Sequence, residues 1–344
     1  MKKYLYQNYI DSITESLKYG KKRGEFKKAQ MTGALSGFDG STTSIPWFDK
    51  VKDEALFESL QPLNAIAGKK VNYNQKTGAH PDFTHIKEQN TIAYHYITSV
   101  FIDIKNSTGL FRKYDPITVA NITTTIQRAA IHTCWYFGGY IQRFHGDGLL
   151  VYFGGKNITL KESTNNAINA ASFFSYFVKN DLKNLFSEQG IENIYTRIGI
   201  DAGEDIDVLW HLAGMGECSE ITTCSLHTSL AYKMQMSATS NGVMVGDNIK
   251  NNTDVTADFF TVKNYIKEGK DVQYVFQIPE ESFYYSQWEL SWEKYLRKNP
   301  SITQDEDGNL YFKPIIPPVV APITPNLNYL EKQANQIKPY HSEY

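Results

Sequence analysis

Two carboxylates, Asp103 and Asp147, stand where this chain could do metal-assisted chemistry on phosphates. Asp103 follows the run Ile97-Thr98-Ser99-Val100-Phe101-Ile102, which reads as a strand delivering a carboxylate at its end. The residues just beyond, Asn106-Ser107-Thr108-Gly109, have the composition of a helix start. Asp147 lies in His145-Gly146-Asp147-Gly148, a turn signal between two strand-like runs, Tyr140 to Phe144 and Leu149 to Phe153. Carboxylates at neighbouring strand ends offer hard oxygen donors suited to Mg²⁺ or Mn²⁺. Two such ions about 4 Å apart can activate an attacking oxygen and stabilise a leaving one in an in-line displacement. Backbone N–H groups around Asn106 to Leu110 are placed to hold phosphate oxygens.

The elements that must position these groups follow from periodicity. Val119, Ile122, Ile126, Ala129, Ala130 and Trp135 mark a helix between the two carboxylates, stopped by Gly138-Gly139. Strand, helix and hairpin in that order can bring Asp103 and Asp147 to one edge of one sheet. Glu162 to Phe186 is amphipathic, and its aromatic side (Phe173, Phe174, Phe177, Phe186) reads as core. Ile194 to Ala202 alternates as a strand, 204–218 reads as a loop, and 225–238 as a helix. Gly242 to Gly246, Phe259 to Ile266 and Val272 to Ile278 complete a mixed sheet. Gln287 to Leu296 reads as a helix, and Ile315-Ile316-Pro317-Pro318-Val319-Val320-Ala321-Pro322 as an extended arm. Residues 1–30 read as helical with a solvated basic run, and 31–91 as irregular cover anchored by Trp47, Phe48, Leu56 and Phe57.

The composition, 41% hydrophobic and 21% charged over 344 residues, is that of a globular chain. A net charge of −2 gives no overall pull toward nucleic acid or anionic membrane. Cys134, Cys218 and Cys224 form no metal or disulfide pattern and suit a reducing, cytoplasmic setting. The start is too polar for a signal peptide, and no run of about 18 apolar residues predicts a membrane span.

Phe101-Ile102-Asp103-Ile104-Lys105-Asn106-Ser107-Thr108 and the stretch Gly138 to Gly154 resemble the two metal-binding motifs of class III nucleotidyl cyclases. Arg197-Ile198-Gly199-Ile200-Asp201-Ala202-Gly203 is similar to that family's later core strand, and Ser229-Leu230-Ala231-Tyr232-Lys233-Met234 to its catalytic helix. The resemblance implies an α+β fold, the class III cyclase catalytic domain: a ferredoxin-like mixed sheet with helices on one face. It spans residues 92–278, with extensions at 1–91 and 279–344. It implies two metal ions held by Asp103, Asp147 and Ile104, and a nucleoside triphosphate near Asn106, Ser107, Thr108 and Lys267. It also implies a head-to-tail homodimer sharing its active sites across the interface.

Three positions depart from the family pattern. Arg143 stands where the family places a base-reading Lys, four residues before the second metal Asp, and Thr222 aligns with its second base-reading position. Ser229 and Lys233 align with its ribose-orienting Asn and transition-state Arg. A guanidinium reaches further than an ammonium and presents a planar fork of donors, which suits the smaller pyrimidine ring. Tyr96 could close the space a purine would need. An Arg of this kind makes the chain similar to the pyrimidine cyclases of bacterial Pycsar antiphage systems, which make cyclic UMP or cyclic CMP. The oxygens O2 and O4 of uracil suit a donor-only group, which favours UTP. An adenylate or guanylate cyclase, and a degenerate homologue that binds nucleotide without turnover, are the alternatives.

Overall fold

The computed structural model describes residues 5–20, 53–63, 66, 75–273, 275–306 and 310–312. Its centre is strand β1 (Ile97–Lys105), which is buried along most of its length because both of its faces are covered. Val100, Ile102 and Ile104 face one core cluster, whereas Phe101 faces another, as a period of two requires. Helix α1 (Gln7–Tyr19) precedes it. Helix α2 (Pro116–Tyr136) follows, capped by Asp115 accepting from Ile117 N and Thr118 N, with Pro116 at its first position.

The hairpin β2 (Tyr140–His145) and β3 (Gly148–Phe153) leads to α3 (Leu160–Tyr176), with Thr159 accepting from Glu162 N at its start. Strand β4 (Tyr195–Gly203) completes a βαββαβ unit. The sheet order β4-β1-β3-β2, every neighbour antiparallel, is ferredoxin-like. Beyond β4 come β5 (Leu209–Met215), β6 (Cys218–Cys224) and helix α4 (Leu226–Ser237). Strand β7 (Gly242–Gly246) then adds parallel to β4, followed outward by β9 (Phe283–Leu290) and β8 (Val275–Ile278). Helix α5 (Trp292–Lys298) closes the described chain apart from one short hairpin.

The long helices α2 and α3 pack on the Val100–Ile102 face of the sheet. The opposite face carries α4 and the β5–β6 hairpin, where Trp210 stacks on Phe83 with ring centroids 3.9 Å apart. Helix α1 docks on α2 through Tyr6 Oη to Thr133 Oγ1 and Tyr9 Oη to His132 Nδ1, both 2.8 Å. Phe57 stacks on Tyr136 with centroids 4.4 Å apart.

Several expected boundaries move. The expected loop 204–218 contains β5, because Val208, Leu209, Trp210 and Leu212 form a short apolar run and the buried Trp210 needs a partner layer. The expected helix 287–296 splits into the end of β9 and α5: Tyr284, Tyr285 and Trp288 favour a strand, and the open edge of β7 supplies the pairing. Of the run 259–266, only Phe260–Val262 joins the sheet, whereas Asn264–Lys267 pairs with Lys270–Gln273 as a separate hairpin. The aromatic helix expected at 162–186 passes through a π-helical stretch, Phe177–Leu182. Strand β9 lies beyond residue 278, where the domain was expected to end, and is hydrogen-bonded into the same sheet. The arm at 315–322, Trp47, Phe48 and the basic run past Gly20 lie outside the described residues.

Candidate active site

Asp103 is the last residue but two of β1, on the same face as Phe101. Antiparallel register sets Arg197 of β4 directly opposite, and the guanidinium donates to Asp103 Oδ2 through Nε at 3.0 Å and Nη2 at 2.5 Å. Asp147 occupies the β2–β3 turn and accepts from Ser107 Oγ. Gly148 lets that turn close on the end of β1: a Cβ there would lie 2.5 Å from Ile102 O and 3.4 Å from Asp103 Cα. Burial raises the Asp147 pKa; the Ser107 hydrogen bond offsets part of this, and the charge of Asp103 adds to it.

The charge of Asp103 is felt at Asp147, so the two carboxylates offer hard oxygen donors suited to a divalent cation, with Asp103 already paired to Arg197 and Asp147 lining a separate groove beside Ser107 and Phe111. The Ile104 side chain is buried in the core, so a metal contact from this residue would have to come from its main-chain carbonyl. No cluster of three or more His, Cys, Asp or Glu side chains suited to a metal exists among the described residues.

Asp103 opens into a groove of about 270 Å³ with Phe101, His145, Arg197, Tyr232 and Gln235 on its walls. Burial, then the charge of Arg143, holds His145 below its ordinary pKa. Asn106 adopts a left-handed conformation (φ 75°) and donates through Nδ2 to Asn193 O at 2.9 Å. Ser107 starts a short 3₁₀ turn, Ser107–Arg112, where a longer helix start was expected, and Thr108 is exposed on it.

The other expected residues lie elsewhere in the chain. Ser229 is exposed on α4 and donates to Ser225 O at 3.2 Å. Lys233, one turn further, sets Nζ 5.3 Å from the centre of the Phe276 ring. Neither lines the Asp103 groove. Arg143 pairs with Glu220 of β6 and lines a second groove. Thr222 is buried with its hydroxyl 3.4 Å from Tyr152 Oη. Tyr96 sits before β1, at the end of the strand opposite Asp103, with its N–H donated to Asp205. Seven strand steps of roughly 3.3 Å each carry Tyr96 away from Asp103, and Tyr96 lines neither the Asp103 groove nor the groove of Arg143. Lys267 belongs to the Asn264–Lys267 hairpin, apart from the main sheet.

The sequence reading passed over Arg197 as the partner of Asp103. The signal was present: Arg197, Gly199 and Asp201 share one face of β4, an unusual pair of charges for a central strand. Asp201 is wholly buried, bonded to His227 Nδ1 at 3.0 Å and to Tyr285 Oη at 2.6 Å.

No helix among the described residues is long and apolar enough to cross a membrane. No family model matches the chain. Over 239 residues it is 39% identical to a Staphylococcus aureus protein named cytidylate cyclase, an alignment covering 69% of this chain and 56% of that protein. An Escherichia coli protein of the same name is 31% identical over 248 residues, covering 70% of this chain and 53% of the relative. The chain thus spans about half the length of the curated relatives it matches. Among solved structures, the adenylyl cyclase CyaB from P. aeruginosa aligns at a TM-score of 0.47 and 16% identity, over 58% of this chain and 95% of that one. With Asp103 and Asp147 on a βαββαβ core and this similarity in sequence, the chain belongs to the class III nucleotidyl cyclase family.

Proposed function

We propose that this chain is a pyrimidine nucleotide cyclase, in which the 3′-hydroxyl oxygen of CTP or UTP attacks the α-phosphorus, closing the 3′,5′-cyclic ring and releasing pyrophosphate. The observation that carries the reading is that the β2–β3 turn bearing Asp147 closes on the end of β1 beside Asp103, near enough for the charge of Asp103 to be felt at Asp147. The substrate class is supported by the relatives named cytidylate cyclase. Their name favours CTP, against the preference for UTP drawn from Arg143 alone.

Asp103, Asp147 and the Ile104 carbonyl would hold Mg²⁺ or Mn²⁺, which when bound supplies an activated 3′-oxygen and charge neutralisation at the triphosphate. Ser107 orients Asp147, and Arg197 orients Asp103. Arg143 donates to the base, with Thr222 beside it. Lys233 brings positive charge to the transferring phosphoryl group, and Ser229 orients the ribose. Arg143, Ser229 and Lys233 lie off the Asp103 groove of their own chain, which supports a homodimer in which one copy supplies the carboxylates and the other these three residues. The product would serve as a second messenger in antiphage defence, made in the cytoplasm.

The test is to incubate the protein with each of CTP, UTP, ATP and GTP and Mn²⁺, and to separate the products. Cyclisation of a pyrimidine triphosphate is expected, and Asp103→Ala or Asp147→Ala should abolish it in a folded protein. Preference for ATP or GTP, or substantial activity in either variant, would refute the reading.

A further inference from the structure

A groove of about 580 Å³ lies between β2, the β5–β6 hairpin and the segment Thr77–Gly78. Its charged groups include one two-pronged pair: Arg143 Nε donates to Glu220 Oε2 at 3.0 Å, and an Nη of Arg143 meets Oε1. The two side chains remain 44% and 23% exposed, so a ligand in the groove can reach both. Beside them Gln142 is wholly buried; its Nε2 donates to Ile221 O at 2.9 Å, and its Oε1 has no partner among the described residues. Glu220 stands two residues before Thr222 on β6 and therefore on the same side of the strand. An ion pair this exposed contributes little to stability, so folding alone gives weak reason for it.

Its chemistry matches one base edge. A guanidinium only donates and a carboxylate only accepts. Cytosine presents a donor, its 4-amino group, next to two acceptors, N3 and O2. Uracil presents O4 as an acceptor where cytosine has the amino group, and N3–H as a donor where cytosine accepts. We propose that Glu220, parted from Arg143 by the entering base, accepts from the 4-amino group of cytosine while Arg143 donates to N3 and O2. Glu220 is then the residue that sets CTP above UTP. Against uracil the carboxylate would face O4, acceptor to acceptor, and the guanidinium would face N3–H. A site that leaves its own polar groups unpaired rejects the wrong ligand more strongly than one that merely fits it loosely. This rests on the reading of Arg143 as the base-contacting residue of a nucleotide cyclase.

The experiment measures two quantities on the whole chain. Binding of CTP, UTP and GTP is followed calorimetrically with Ca²⁺, and cyclisation of the same three with Mn²⁺. Wild type should prefer CTP in both. Glu220→Gln, which keeps shape and supplies an amide N–H able to donate to O4, should lower CTP affinity and kcat/KM about ten- to a hundredfold and leave UTP unchanged or improved. Arg143→Ala should weaken CTP and UTP alike, since both present O2. Equal loss of CTP and UTP in Glu220→Gln would reduce Glu220 to a prop for Arg143 and overturn the proposal, as would a wild-type preference for UTP or GTP. If no triphosphate is cyclised, the cyclase reading fails. A CTP preference in binding that Glu220→Gln removes would still uphold the base-reading role, and its absence would end it.

Discussion

Replacing Gly199 with Ala tests whether the position of helix α4 controls catalysis. Gly199 lies mid-strand in β4, and α4 crosses directly over it. A methyl group there would overlap Ala231 O and Gln235 N and sit 2.9 Å from Gln235 Cα. All three are main-chain atoms, so no side chain can swing away. Relieving the clash requires the helix to retreat on the order of 1 Å, since comfortable contacts between carbons begin near 3.5 Å. Overpacking of this kind costs about 1–3 kcal/mol. For a domain of this size that lowers Tm by about 2–12 °C and leaves the protein folded at 25 °C. Helix α4 carries Ser229 and Lys233, and misplacing catalytic groups by 1 Å can cost about a hundredfold in rate. Gly199→Ala should therefore lose about a hundredfold in kcat with a modest fall in Tm. The assay pairs thermal unfolding with cyclisation kinetics on the same preparation. Near wild-type kcat in the folded variant would refute the link between α4 placement and turnover.

Mixing Asp103→Ala with Lys233→Ala protein, each inactive alone, should restore roughly a quarter of wild-type activity, since half the dimers are mixed and each has one intact site. Mixed dimers that form without activity would rule out sites shared between copies. Burial alone would lower the His227 pKa, but the Asp201 carboxylate on Nδ1, with Asp207 and Glu204 nearby, outweighs it and raises the value above the ordinary one. A raised folded-state pKa gives stability that is full below about pH 6.5 and lost as pH rises through the folded value. The Tm gap between wild type and His227→Gln should accordingly narrow as pH rises above about 6.5, and a gap that stays constant would refute a raised His227 pKa.

The amino-acid sequence by itself determined the two carboxylates and the elements that carry them. A strand period of two, a capped helix and a Gly-Asp-Gly turn are local patterns, so Asp103 and Asp147 could be placed at one sheet edge before any fold was known. The strand Gly242–Gly246 and helix α4 were legible for the same reason. Only the tertiary structure decided which groups meet. Arg197 reaches Asp103 across 94 residues, and Glu220 reaches Arg143 across 77. Those partners follow from strand register and from the hairpin folding onto the sheet, which no local window contains. Tyr96 shows the converse: close to Asp103 in sequence, it is carried to the far end of β1 because an extended chain separates its neighbours. The contact between α4 and β4 at Gly199, which fixes where Lys233 can stand, likewise exists only once both faces of the sheet are covered.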